Sequence, residues 1–401
     1  MKKLKDLVKE NDICSLPWLH TEISLQNNSV RPCCKFRKDM LGSDRPIEFK
    51  IIWANDAFKK LRSDILKNKR IPECESCNVG KDEFSYKKFK HNSYINSDIL
   101  DINVDDYGLP KVFHFSLKNT CNLACRMCSP GSSSKLGEVV KKSKELKQFY
   151  LGTHNNAPID IQNFKGSFVN TEHITISGGE PLVDTDCITL IEMVKEESVN
   201  LKSINFSTNL TKLNKKLLES LNEVDKATRI TFSISLDGPE HIHEYIRYGC
   251  TWNDIIDNIK YIKLNYPRIT FSINSTVSAL NVGYVGEALE TFHNIEKELG
   301  IKFINLMVSP VLFPSYLHSS VIPKHVKILY LEKLQKIEFS KYTIPNSNML
   351  INTAIELLSK PTQDLPDQFF KFISAFDNVA GTKLTDTYPE FNGGVVSDIK
   401  L

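Results

Sequence analysis

The sequence has no run of 18 or more apolar residues, so no membrane-spanning helix is expected. It has no excess of one charge either. The 51 Lys and Arg stand against 48 Asp and Glu, a formal net of +3. That balance excludes a chain that coats nucleic acid by bulk charge. Repeats and low-complexity tracts are missing, and 41% of the 401 residues are hydrophobic and 25% charged, which argues against a wholly disordered chain. The start, MKKLKDLVKENDIC, is basic but has no apolar stretch. No secretory leader is therefore expected, and a reducing, cytoplasmic location is.

What the chain does have is ten cysteines, eight of them before residue 130. A reducing compartment disfavours a disulfide framework, so this clustering points to metal or iron–sulfur ligation. Cys187 and Cys250 stand apart and read as small buried hydrophobes.

Residues 1–90 carry a local net charge of +7 and read as a separate small module. Within it, 51–66 has helical spacing, with Ile52, Phe58, Leu61 and Ile65 on one face. Residues 91–110 read as a linker, 111–310 as alternating strands and helices, and 311–401 as a helical region. Helices are expected over 186–197, 213–224, 252–263, 321–342, 348–360 and 366–379.

The strands have an unusual pattern. In 114–118, 173–178, 203–207, 229–235 and 269–274, apolar residues alternate with Thr, Ser and Asn, and 303–310 supplies a sixth strand. Successive side chains point to opposite faces of a strand. A parallel sheet covered on both faces reads as a continuous apolar run, and a closed barrel fills its interior with branched apolar side chains. Here one face is apolar and packs on helices, while the other lines a polar lumen. An antiparallel sheet with one wet face has the same alternation, but the intervening helical segments argue against it.

The first of these strands runs into NTCNLACRMC, which places Cys121, Cys125 and Cys128 on one short loop. Three thiolates can hold three irons of a [4Fe–4S] cube and leave the fourth open. Zinc would want a fourth ligand close by, and His114 lies seven residues before Cys121.

CNLACRMC at 121–128, followed by GGEP at 178–181 after the second strand, resembles the radical S-adenosylmethionine (SAM) superfamily. Met127 stands where that family often has an aromatic residue. The resemblance covers residues 111–310 and implies an α/β fold, a partial (β/α)6 barrel. It implies a SAM-binding [4Fe–4S] cluster held by Cys121, Cys125 and Cys128, with SAM beside Gly178, Gly179, Glu180 and Pro181. The two glycines would let the backbone approach the ligand closely. Ser235 and Asp237 sit where relatives bind ribose hydroxyls, Arg247 where an arginine meets the SAM carboxylate, and Thr208 and Asn209 are further candidates for the same pocket.

The N-terminal pattern CSLPWLH, SVRPCC, the Trp53–Asn55 helix and CESC resembles the SPASM/twitch auxiliary-cluster module of those enzymes. The resemblance implies a second [4Fe–4S] cluster on Cys14, Cys33, Cys74 and Cys77. Asn28 replaces the usual glycine five residues before the ligand, and Asn tolerates the left-handed conformation. That register selects Cys33 over its neighbour Cys34. The module precedes the barrel here, whereas it usually follows it. Four cysteines including a CxxC also suit structural zinc, so iron–sulfur and zinc stay open on the residues alone.

These resemblances imply reductive SAM cleavage and hydrogen abstraction from a peptide, protein or small polar substrate, in an oxidative modification. An acidic electron donor such as flavodoxin or ferredoxin is the implied partner. An RNA-modifying radical SAM enzyme is the alternative within the superfamily, although no RNA-binding domain is recognisable and nucleic acid is not an expected partner. A cysteine-rich zinc-binding interaction protein accounts for 14–77 but not for the open triad, GGEP and the polar lumen.

Overall fold

The structure is a computed structural model that describes residues 2–11, 13–41, 48–77, 98–150, 158–338, 341–362 and 366–392. Its ten strands, in chain order, are β1 (His20–Ser24), β2 (Ser29–Arg31), β3 (Val112–Ser116), β4 (Ala124–Cys125), β5 (His173–Ser177), β6 (Ser203–Thr208), β7 (Arg229–Ser235), β8 (Arg247–Tyr248), β9 (Ile269–Val277) and β10 (Phe303–Pro310). Eight form one sheet in the order β10-β9-β7-β6-β5-β3-β1-β2. Every neighbouring pair is parallel except the β1–β2 hairpin. The six strands read from the sequence are β3, β5, β6, β7, β9 and β10, and their helical crossovers give the α/β partial barrel.

The alternation sorts as the pleat requires. Phe113, Phe115, Ile174, Ile176, Phe206, Phe232 and Ile234 are fully buried on the helix-covered side. The polar positions meet in rows on the other side. Ser24, Ser116 and Ser177 share one register row across β1, β3 and β5, and Ser207, Ser233 and Ser272 share one across β6, β7 and β9. Several crossover helices start on a side-chain cap: Asp184 accepts from the Asp186 N–H before Thr185–Glu197, and Asn214 from the Leu217 N–H before Lys215–Glu223.

The N-terminal part differs from the sequence reading. Its strand β1 pairs in parallel with β3 over five residues, so the small module shares the barrel's sheet. The helix read over 51–66 is two helices, Phe49–Trp53 and Asp56–Leu66. Asn55 divides them by capping the second through the Phe58 N–H at 2.9 Å. Ile52, Phe58, Leu61 and Ile65 are all buried nonetheless. Of the linker, 91–97 lies outside the described residues. The rest, 98–110, is packed: Ile99 and Leu100 are buried, the Trp18 indole donates to the Val104 carbonyl at 3.2 Å, and the Trp53 indole donates to the Gly108 carbonyl at 2.8 Å.

In the C-terminal region the helix read over 321–342 is shorter, Lys324–Leu334, whereas Ser347–Ser359 and Pro366–Ala380 match expectation. No described helix is long and apolar enough to cross a membrane.

Arg62 holds the N-terminal helices against 98–110. It is buried and donates to the Pro17 carbonyl at 2.8 Å, the Trp53 carbonyl at 3.0 Å and the Tyr107 hydroxyl at 2.6 Å, between the rings of Trp53 and Tyr107. Arg62→Ala leaves those acceptors buried and unmatched. It is expected to lower stability by about 3 kcal/mol in urea denaturation. An unchanged midpoint would show that the clasp contributes nothing.

Candidate functional site

Cys121, Cys125 and Cys128 follow β3 and share one cavity of about 380 Å³ at the mouth of the barrel. The same cavity is lined by Gly178, Gly179, Glu180, Thr208, Asn209, Ser235 and Arg247, from the ends of four other elements. Of the residues singled out from sequence for this pocket, Pro181 and Asp237 are not on its wall.

The three-cysteine loop is pinned from several sides. Ser133 caps the helix Ser134–Lys141 through the Leu136 N–H and donates to the Leu123 carbonyl at 2.6 Å. Ser134 accepts from the Cys121 N–H at 3.1 Å. The short strand β4 pairs antiparallel with β8, which sets Cys125 opposite Arg247. In this register Arg247 Nη1 lies 3.9 Å from Cys125 Sγ.

Asp237 explains where Arg247 points. Arg247 Nε donates to Asp237 Oδ2 at 2.7 Å, and Asp237 Oδ1 accepts from the Thr276 N–H at 2.8 Å. Both carboxylate oxygens are thus engaged within the protein, and the side chain is fully buried. The sequence reading set Asp237 beside ribose hydroxyls; the geometry makes it the anchor of Arg247. Burial pulls the Arg247 guanidinium down, but Asp237 and the Cys125 sulfur push it up further, so it stays cationic.

Glu180 is also a positioning residue. Thr208 Oγ1 donates to its Oε1 at 2.6 Å and the Asn209 N–H to its Oε2 at 2.7 Å. Burial raises its pKa, and these donors with the Leu182 N–H oppose the rise.

The two glycines serve the chain before any ligand. A Cβ on Gly178, whose φ is +137°, would lie 2.7 Å from the Leu117 nitrogen, and one on Gly179 would lie 2.3 Å from the Thr120 carbonyl oxygen. The GGEP turn therefore rests on the backbone that enters the cysteine loop, with the Gly179 N–H donating to the Lys118 carbonyl and the Glu180 N–H to that of Thr120.

Burial raises the thiols of all three cysteines, that of Cys128 to about 11. Neutral thiols on an enclosed wall suit a metal centre, which supplies the charge that deprotonates them. The sequence reading missed Ser133, Thr276 and the segment Pro310–Phe313, which also line the cavity. The Ser133 cap before an apolar run was the available signal for the first.

A second cavity, also about 380 Å³, is lined by Cys14, Cys33, Cys74 and Cys77. Cys33 is buried and Cys34 is exposed and off the cavity wall. Asn28 has φ +49°, the left-handed backbone expected of the residue in the glycine's place. Burial first, then neighbouring cysteines, push the Cys33 and Cys74 thiols up to about 12. Among the described residues no three His, Cys, Asp or Glu side chains close on one ion-sized point. What each cavity offers is thiols of the right number on one wall. Cys187 and Cys250 are buried away from both cavity walls.

Gly179→Ala drives a methyl group into the Thr120 carbonyl. The expected cost is about 1–3 kcal/mol of stability. Calorimetric unfolding of the variant checks this, and a parent-like midpoint would show that the turn does not need the close approach.

Residues 115–299 match the Radical SAM superfamily. Among curated proteins, a GTP 3′,8-cyclase of Aquifex aeolicus is 25% identical over 201 residues, 49% of this chain and 57% of that protein. One of Limosilactobacillus fermentum is 26% identical over 197 residues, 48% and 53%. The chain thus spans little more than half the length of these relatives. Among solved structures, anSMEcpe with bound AdoMet and Kp18Cys peptide is similar over 56% of this chain and 59% of that one, with TM-score 0.38 and 19% identity. Streptococcus suis SuiB bound to the precursor peptide SuiA is similar over 84% and 64%, with TM-score 0.37 and 15% identity. The stretch matched to the Radical SAM superfamily holds Cys121, Cys125, Cys128 and the 178–181 turn.

Proposed function

We propose that this chain is a radical SAM enzyme that abstracts hydrogen from a peptide, protein or small polar substrate, in an oxidative modification. The observation that carries the reading is the single cavity shared by the three-cysteine loop, the GGEP turn and Arg247. Cys121, Cys125 and Cys128 would hold a [4Fe–4S] cluster with one iron left to SAM. When bound, that cluster supplies the electron that splits SAM into methionine and a 5′-deoxyadenosyl radical.

The chain's own residues bind and orient. The N–H groups of Gly179 and Glu180 already donate within the protein, so an ammonium at this turn meets carbonyl oxygens. Arg247, held by Asp237, presents its remaining donors to a carboxylate. Ser235, Thr208 and Asn209 offer hydroxyl and amide groups on the cavity wall. The rows of serine below them make the lumen fit a polar substrate.

The second part of the proposal is an auxiliary [4Fe–4S] cluster on Cys14, Cys33, Cys74 and Cys77 in a SPASM/twitch-type module over residues 1–90. The shared cavity, the burial of Cys33 and the backbone of Asn28 support it. With four thiol ligands it has no open iron, which suits accepting an electron from a substrate radical rather than binding substrate. The basic module around it suits an acidic carrier such as flavodoxin or ferredoxin. A substrate screen includes GTP, for which the curated relatives are named, beside peptides, with 5′-deoxyadenosine as the readout.

Replacing Cys121, Cys125 and Cys128 together by Ala is expected to abolish 5′-deoxyadenosine formation after reduction and to leave the N-terminal site loaded. Continued SAM cleavage by the triple variant would overturn the assignment. Iron counting is expected to give about eight atoms per parent chain and about four in a folded Cys74→Ala/Cys77→Ala variant, which still cleaves SAM but does not complete substrate oxidation. Zinc in place of iron in anaerobic preparations would remove the electron-transfer role and leave the barrel assignment standing.

A further inference from the structure

Arg126 lies between the second and third cysteines of the loop, and its side chain is fully buried. A buried guanidinium is costly unless its charge and its donors are matched. Here the charge and the Nη2 donors are matched from the far end of the chain, while Nε has no partner among the described residues. Arg126 Nη2 donates to Asp377 Oδ1 at 2.6 Å and to Thr382 Oγ1 at 2.7 Å, and Nη1 donates to the Tyr245 carbonyl. The guanidinium carbon lies 3.7 Å from the ring centre of Tyr245 and 4.5 Å from that of Phe376. The second Asp377 oxygen accepts from the Tyr245 hydroxyl at 3.1 Å. The Arg126 N–H donates to the Ile246 carbonyl at 2.8 Å, just beside the Cys125–Arg247 pair.

Asp377 and Phe376 belong to the helix Pro366–Ala380, and Thr382 follows the left-handed turn at Gly381. The C-terminal helix is therefore bolted to the cysteine loop by a charged pair. Arg126 belongs to the loop and Arg247 faces it across β4–β8, and each has its own buried carboxylate. A positive charge left unmatched here would favour the reduced, more negative state of a cluster. It would be easier to reduce and a weaker reductant of SAM.

We infer that Asp377 is a positioning residue of the three-cysteine site: through Arg126 it braces the loop, and by neutralising Arg126 it keeps the bound cluster strongly reducing. The inference rests on the reading of the triad as the SAM-binding cluster site.

The experiment compares midpoint potentials in full-length, anaerobically reconstituted protein, with SAM cleavage by dithionite measured without added substrate. Asp377→Asn keeps the shape and removes the charge. Its cluster is expected at a more positive potential than the parent's, with SAM cleavage several-fold slower. Asp377→Glu keeps the charge and is expected at the parent potential. So is the double variant Arg126→Gln/Asp377→Asn, in which both charges are gone. A purely structural role would lower thermal stability in these variants and leave the potential where it was.

The brace is tested separately in metal-free protein with Thr382→Val, which keeps both charges. Iodoacetamide is expected to modify Cys125 and Cys128 several-fold faster than in the parent, while Cys187 is unchanged. An unmoved potential in folded Asp377→Asn, the same shift in the double variant, or parent-like alkylation in Thr382→Val overturns the inference. If parent iron does not depend on Cys121, Cys125 and Cys128, the reading of the triad falls and this inference with it. Triad-dependent iron with an unmoved potential removes this inference alone.

Discussion

The buried pair between Arg247 and Asp237 is the constraint on which the site depends. Arg247 stands opposite Cys125 in a two-stranded ladder, and Asp237 takes one hydrogen bond from Arg247 and another from the backbone at Thr276. The pair thus connects the cysteine loop to the ends of β7 and β9. A charge buried this deeply is tolerated only with its partner in place, because an uncompensated ion loses several kcal/mol of hydration. Removing Asp237 would do more than weaken a contact. It would release Arg247, which faces both the Cys125 sulfur and the cavity.

Around that pair, the barrel solves a packing problem that a sheet covered on both faces does not have. Its helix side is closed by Phe113, Phe115, Phe206 and Phe232, all fully buried. Its lumen side is lined by hydroxyls that are exchanged between neighbouring strands, as in the Ser272–Ser233 bond of 2.9 Å and the Thr231–Thr270 contact of 3.0 Å. Small polar side chains satisfy one another without filling the lumen. A branched apolar set in the same rows would collapse into a packed core. The open lumen is therefore written in the choice of Ser and Thr at alternate positions.

That choice is why the barrel was legible in the sequence. Period-two alternation in five segments gives the strands, and helically periodic segments between them give the helices. The site was legible where its residues belong to one short motif, as with Cys121, Cys125, Cys128 and GGEP. It was not legible where partners are remote. Arg126 and Asp377 are 251 residues apart, and nothing local distinguishes either from a solvated charge. Strand β1 is only five residues long and is made by pairing with β3, some ninety positions on. Asp237 was found but not its partner Arg247, and the two glycines were found but not the backbone they rest on. Local sequence reports that a carboxylate or a missing Cβ is needed, not whether protein or ligand occupies the space beside it.

The place of β1 bears on the unusual chain order. A module joined to the barrel only through a tether would leave its four-cysteine cavity free to move relative to the triad. Here β1 enters the sheet directly beside β3, the strand that leads into Cys121, and the hairpin β1–β2 ends two residues before Cys33. Backbone hydrogen bonds thus run from the neighbourhood of one cavity to the root of the other. Arg62, Trp18 and Trp53 tie the rest of the module to 98–110, the stretch that enters β3. Placing the module before the barrel therefore costs no rigidity, because its fixed relation to the cysteine loop comes from strand pairing and not from its position in the chain. For the two clusters proposed above, a shared sheet is a physical means of keeping their separation constant.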